Sequence, residues 1–331
     1  MDLEKLATSE MGTLWTTYEH DSMMAYLYQH AFERAEDERL KGILESARDF
    51  FQGNIIAIRA LFQKNDFPIP LGFTDKDFHP NAPKLFTDDF WVYHIHLESA
   101  HWLTGYELGL TTASREDVRR FFKTCIQKAM DLYEGSLAEL MQKGIYRLPP
   151  SVSTPKEVGF SHKQSLLTGW MGDRRPVNAM EITSLFFNIK KEQLTEALML
   201  GFSQVAKERE SRKFLTRIRE VCSKQIEVMS SILDEDFLSS SGSWEPHVTD
   251  STAAPFSDKL MMFHGQTMLN SSIIYFGAGL GTALRRDLGV HYTRAIAERM
   301  KLAEDGMNIA IEHGWVEKPP QAEDRKALTK V

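Results

Sequence analysis

The segment Gly144-Ile145-Tyr146-Arg147-Leu148-Pro149-Pro150 returns, loosely rewritten, as Gly314-Trp315-Val316-Glu317-Lys318-Pro319-Pro320. The two lie 170 residues apart, and residue pairs at that offset recur through both halves of the chain. Phe67 falls on Phe237, Phe86 on Phe256, Asp88 on Asp258 and His94 on His264. Gly109-Leu110 falls on Gly279-Leu280, Thr112-Ala113 on Thr282-Ala283, and Arg115 and Asp117 on Arg285 and Asp287. Met130, Leu132 and Glu134 meet Met300, Leu302 and Glu304. A chain that repeats itself at a domain-sized interval folds as two similar units, and so long a period excludes a solenoid of short repeats.

Each unit reads as four long helices. Leu14, Tyr18, Asp21, Ala25, Tyr28 and Phe32 recur at the steps of one helical face. Residues 36–63 are rich in strong helix formers and are interrupted only by Gly42 and Gly53. Residues 65–83 form a Pro- and Gly-punctuated connection, long enough to be the crossover of a ferritin-like bundle. Thr87 and Ser257 are equivalent N-cap candidates, each followed by an aspartate that suits the positive end of a helix dipole. Ser114-Arg115-Glu116-Asp117 reads as a further helix start and Asn178-Ala179-Met180-Glu181 as a capping box. Gly144 reads as a stop with prolines just beyond. Only 20 Gly and 12 Pro occur in 331 residues, which favours long elements over a turn-rich β architecture. The expectation is an all-α chain of two tandem ferritin-like four-helix bundles, over residues 1–150 and 178–331. Residues 151–177 are the expected linker, marked by Pro155, Gly159, Gly169, Gly172 and Pro176.

Thirty-nine Lys and Arg against 46 Asp and Glu leave a net charge of −7. No basic footprint for nucleic acid results, and anionic lipid is only weakly attracted. No stretch approaches the ~18 consecutive apolar residues of a membrane span; the run from Ile273 to Leu280 is far too short. Met1-Asp2-Leu3-Glu4-Lys5 lacks the basic and apolar regions of a secretory signal. Cys125 and Cys222 are too few for a disulfide framework or a thiolate metal site and read as free thiols of a reducing compartment. A cytoplasmic protein without nucleic-acid or membrane partners is the expectation.

On these segments the chain resembles domain-of-unknown-function family 3231, found largely in Bacillus-type spore-forming bacteria. The phrases that carry the resemblance include Phe67-Pro68-Ile69-Pro70, Gly172-Asp173-Arg174-Arg175-Pro176 and Gly201-Phe202-Ser203-Gln204-Val205-Ala206-Lys207. Phe256-Ser257-Asp258-Lys259-Leu260-Met261-Met262-Phe263-His264, Arg285-Arg286-Asp287-Leu288 and Ala303-Glu304-Asp305-Gly306 add to it. The resemblance covers nearly the whole chain. It implies a ferritin-like helical fold and a setting in stress or sporulation. It implies no activity, because the family brings no catalytic motif to carry over.

The two copies serve as internal controls for chemistry. At offset 170, Glu19 falls opposite Ile189 and Glu98 opposite Met268. Glu45 falls opposite Leu215, Arg48 opposite Ile218 and Gln52 opposite Cys222. An ionisable residue opposite an apolar one is a candidate buried polar group, costly unless paired, hydrogen-bonded or coordinating. His94, Glu98 and His101 share one side of a helix, and Glu98-Ser99-Ala100-His101 has the Glu-x-x-His spacing of di-iron bundles. A complete di-iron set is missing, since the second helix offers Glu45-x-x-Arg48 and Arg cannot ligate. The metal reading is therefore one ion of zinc, manganese or iron held by Glu19, His94, Glu98 and His101. Glu45, Arg48 and Gln52 would be its polar core partners. The competing reading gives the histidines local hydrogen bonds, with His94 and His264 serving the fold in both copies.

No Ser-His-Asp, phosphate-loop or zinc-protease signature is present. Gly277-Ala278-Gly279-Leu280-Gly281 has no preceding strand, so Gly277 and Gly281 are expected to let helices approach, not to bind a cofactor. The reading is a non-enzymatic structural or interaction protein, with a protein partner or further copies of itself. A metal-dependent oxidase or other enzyme in the first bundle, and a binder of a hydrophobic ligand between helices, stay open as alternatives.

Overall fold

The computed structural model describes residues 5–169, 174–239 and 242–329. Met1 to Glu4, and Gly172 and Asp173 of the linker and family phrase, lie outside the described residues. Among the described residues there are eight long helices and no strand. The first bundle holds α1 (Thr8–Glu33), α2 (Glu38–Lys64), α3 (Asp88–Thr112) and α4 (Glu116–Gln142). The second holds α5 (Ala179–Val205), α6 (Arg209–Asp234), α7 (Asp258–Thr282) and α8 (Arg286–Glu312), followed by one turn, Arg325–Leu328. Helices pack as α1 on α2 and α3 on α4 in the first bundle, and as α5 on α6 and α7 on α8 in the second. Each bundle contains one extended crossover, between its second and third helices.

The helices divide into two kinds. Helices α2, α4, α6 and α8 bury one stripe each, such as Leu40, Leu44, Ala47, Phe51, Asn54, Ile58 and Phe62 on α2. In contrast, α3 is buried without a break from Phe90 to Ser99, and α5 from Asn188 to Met199. A helix buried all round lies inside a larger body. These two helices touch, and one hydrophobic core runs from α1 through α3 into α5 and α7.

Sequence punctuation sets the helix ends. Thr87 and Ser257 cap α3 and α7 by accepting from the amides of Phe90 and Leu260. Asn178 and Glu181 close a capping box on α5. Gly144 and Gly314 follow the fourth helix of each bundle with φ of 68°, the left-handed stop that glycine adopts most freely. Buried carboxylates tie separate helix starts together, identically in both copies. Glu10 accepts from the amides of Ser114 and Arg115, and Glu181 from those of Leu284 and Arg285. Asp88 accepts from Glu36 and Asp37, and Asp258 from Lys207 and Glu208.

These pairings correct the register of the repeat. Glu10 and Glu181 are 171 residues apart, whereas Asp88 and Asp258 are 170 apart. The first two helices of each copy match at the longer offset; Leu44 and Leu215, Phe51 and Cys222, and Asn54 and Gln225 are equivalent buried positions. The left-handed residues Asp66 and Phe237 also obey it. The second crossover is therefore one residue shorter, and Phe67 is not the counterpart of Phe237. Helix approach also differs from expectation. A Cβ on Gly277 or Gly281 would meet open space, whereas one on Gly279 would lie 2.7 Å from the Tyr292 ring.

The two bundles meet across a pseudo-twofold axis. Phe78 bridges to Phe256, and Phe86 to Val248. Thr87 N–H donates to the His247 carbonyl at 3.0 Å, while Ser257 N–H donates to the Asp77 carbonyl at 2.9 Å. His79 and Pro255 make the bond that Thr249 and Leu85 make on the other side. Every one of these pairs becomes another when the copies are exchanged, the signature of an isologous interface. His94 and His264, mutually equivalent, face each other on the axis.

Candidate functional site

The polar side of α3 faces the seam between the bundles. Glu98 is fully buried, and the equally buried Lys191 of α5 donates to one of its carboxylate oxygens. The other oxygen has no hydrogen-bond partner among the described residues. Burial alone would raise this carboxyl, but the Lys191 ammonium, helped by His101 and His94, holds it well below the usual carboxylate range. His94 Nδ1 lies 2.8 Å from the Tyr28 hydroxyl, and its Nε2 lies 3.3 Å from Nε2 of His264. Burial pushes the Tyr28 phenol well above its ordinary range, so it keeps its proton. With Tyr28 donating to Nδ1, the His94 proton sits on Nε2 and is given to His264. Burial pulls His94 and His101 down to about 4 and His264 well below its ordinary value, so all three rings are neutral at pH 7.

The remaining candidates lie elsewhere. Glu19 is beside Glu317 and Lys259 at the edge of the seam, where burial and the Glu317 charge push its carboxyl up to about 7. Glu317 itself is pinned by the amides of Leu71 and Gly72, at 2.7 and 2.6 Å. Glu45, Arg48 and Gln52 do not enter the core. Arg48 bonds Glu45 at 3.2 Å and Asp49 at 2.7 Å and lies over the Phe32 ring, while the exposed Gln52 reaches Gln29. The single-residue shift in register explains this correction, because the true counterparts of these three are Thr216, Arg219 and Ser223. His94, Glu98 and His101 are thus brought together, without Glu19. Lys191 engages one Glu98 oxygen, and Tyr28 and His264 engage both His94 nitrogens, which leaves only the other Glu98 oxygen and the His101 ring of the expected ligand set. Among the described residues, no three His, Cys, Asp or Glu side chains are grouped to hold an ion.

Each bundle also holds a central polar cluster that the offset of 170 conceals. In the first, Asp21 accepts from Asn54 at 2.8 Å and from Tyr106 at 3.2 Å, and Cys125 Sγ lies 3.5 Å from Asn54 Oδ1. Four helices contribute one side chain each. In the second, Glu192 takes the place of Asp21, paired with Arg299 at 2.5 Å and accepting from Ser272 at 2.9 Å. The first is a closed set of mutually satisfied groups, whereas in the second the buried Arg299 Nε and Gln225 Oε1 have no partner among the described residues. The signal for them was available at the correct offset, which aligns Asp21 with Glu192, His20 with Lys191 and Asn54 with Gln225.

The profile of the family described as Protein of unknown function (DUF3231) matches residues 2–158 and again 165–328. A crystal structure described as a candidate spore coat protein of Bacillus halodurans is similar at 22% identity and a TM-score of 0.42. The likeness covers 46% of this chain and 98% of that one. No curated protein sequence matches significantly.

Proposed function

The chain belongs to the DUF3231 family of proteins of unknown function, and on that premise we propose that it is a non-enzymatic structural and interaction protein, two bundles locked into one body. One observation carries the reading: two of the α3 side chains in the candidate metal set are engaged by the partner bundle, Glu98 by Lys191 and His94 by His264. A catalytic group needs an unengaged side reached by substrate. Glu98 and His94 are fully buried, and the Glu98 charge is balanced by Lys191 of the same chain. No helix of the described residues is long and apolar enough to cross a membrane. The cytoplasm of a stressed or sporulating Bacillus-type cell is the setting within this reading, supported by the hosts of the family.

Elemental analysis of protein purified without chelators tests it, alongside the double variant Glu98→Gln/His101→Ala. The expected result is no stoichiometric iron, manganese or zinc in either. Stoichiometric metal that disappears in the variant would overturn the reading.

A further inference from the structure

The outer face of the first bundle differs from that of the second in one respect. Between α2 and α4 lies an open groove of about 1180 Å³, floored by Phe50, Leu61, Phe121 and Leu132. It is widened by small residues along α2, namely Gly42, Ser46, Gly53, Ala57 and Ala60, and by Gly135 on α4. The second bundle supplies the control. The counterparts of Ser46 and Gly135 are Arg217 and Asp305, an ion pair of 2.8 Å between α6 and α8. Those of Gly53 and Lys128 are Lys224 and Glu298, also paired at 2.8 Å. Ion pairs thus span the middle of one outer face, while in the first bundle the spanning pairs Arg39–Glu139 and Lys64–Asp117 stand only at the two ends and leave a trough between them.

We infer that the α2/α4 groove is a docking site for an amphipathic helix of a partner protein, one carrying acidic residues beside its apolar stripe. Length and openness favour a helix: from Gly42 to Ala60 the trough runs about 27 Å at 1.5 Å per residue, open along its length. An enclosed ligand pocket is smaller and covers most of its occupant. A helix laid across two others inserts one apolar stripe, and small residues beneath it let the backbones approach. Charge selects the partner. At the start of α4 the groove joins a second depression lined by Arg119, Arg120, Lys123 and Lys128, with Glu116 the one acidic residue among its lining side chains. Arg120 is paired with Glu116. Among the described residues, no carboxylate lies within ion-pair distance of Lys123 or Lys128. The groove itself carries Asp49, Asp117 and Asp131 beside Arg39, Lys64, Arg120 and Lys128, so the two depressions together hold six cations against four carboxylates. On a chain of net charge −7, this modest local excess complements an acidic helix. The inference rests on the interaction reading above and names the partner chemistry. Its test leaves Glu98, Lys191 and the seam untouched, so the two can fail separately.

Two synthetic helical peptides of equal length and identical Leu/Ala stripe serve as probes, one flanked by Glu and one by Lys, with palmitate as the lipid control. Binding to the full chain is followed by fluorescence anisotropy at two salt concentrations. The acidic peptide is expected to bind at least tenfold more tightly than the basic one, and less tightly as salt rises. The variant Ser46→Arg/Gly53→Lys/Lys128→Glu/Gly135→Asp transplants the closure of the second bundle. Gly53 and Gly135 have open space at their Cβ positions, so this variant is expected to fold, with melting temperature not lowered and binding reduced tenfold or more. Lys123→Gln/Lys128→Gln is expected to weaken the acidic peptide several-fold and flatten its salt dependence. Equal binding of both peptides, unchanged binding by the closed variant, or uptake of palmitate without the peptide would each overturn the proposal.

Discussion

Water is excluded from both Glu98 and Lys191, so their attraction operates against a large desolvation cost on each side. In the other half of the seam the equivalent positions are Met268 and His20, which shows that the fold accommodates a less charged pair. Glu98→Met alone strands a buried ammonium and is expected to destabilise the chain by about 3–5 kcal/mol. Glu98→Met/Lys191→Met is expected to restore wild-type stability or exceed it, because two apolar side chains of matching volume need no desolvation. Urea unfolding of the three proteins decides this; a double variant as unstable as the single one would contradict it. Glu98 was legible as a buried acid because it sits among apolar residues opposite a methionine. Its partner was not. Lys191 is 93 residues away in sequence, and helical periodicity identifies a face without naming what covers it.

Helices were the most legible level, since caps, glycine stops and periodicity all act within a few residues. Thr87, Ser257 and Asn178 cap where their side-chain chemistry places them. Misreading arose where one deleted residue in a crossover shifted the alignment. Glu45, Arg48 and Gln52 then acquired apolar counterparts they do not have, and three residues outside the core were assigned to it. Glycine roles were also ambiguous in sequence, because a glycine under a packed ring and one facing solvent look alike. The structure separates them. Gly279→Ala would drive a methyl group into the Tyr292 ring and toward Ser184 Oγ, and is expected to lower stability by about 1–3 kcal/mol through overpacking. Gly277→Ala, with nothing within 4 Å, is expected to be neutral or to stabilise by up to about 1 kcal/mol through helix propensity. Thermal melts of the pair test the assignment, and it fails if the two substitutions behave alike.

At the scale of the molecule, duplication was plain in the sequence, but the way the copies embrace was not. The crossovers read as connections because of their Pro and Gly content. They are in fact the interface, with residues 77–87 and 247–257 exchanging backbone bonds across the pseudo-twofold axis. Cohesion thus resides in the seam and not in the peptide between the bundles, where Val158 and Phe160 are 88% and 83% exposed. A protease site placed at residues 158–160 is expected to be cut in the folded protein, with the halves co-eluting as one particle on gel filtration. Separation of the halves would show that the connection, not the seam, holds them.

Tethering has a consequence for how such a molecule can change. In a dimer of identical subunits, a substitution at a twofold seam appears twice, so an acid introduced on one side must be tolerated on the other. Joining the subunits lifts that constraint. Glu98 could gain a lysine across the seam while its mirror position kept a methionine, and one outer face could be cross-linked by ion pairs while the other stayed open. The fused chain is a symmetric body whose halves are free to specialise, with one gene fixing their one-to-one ratio.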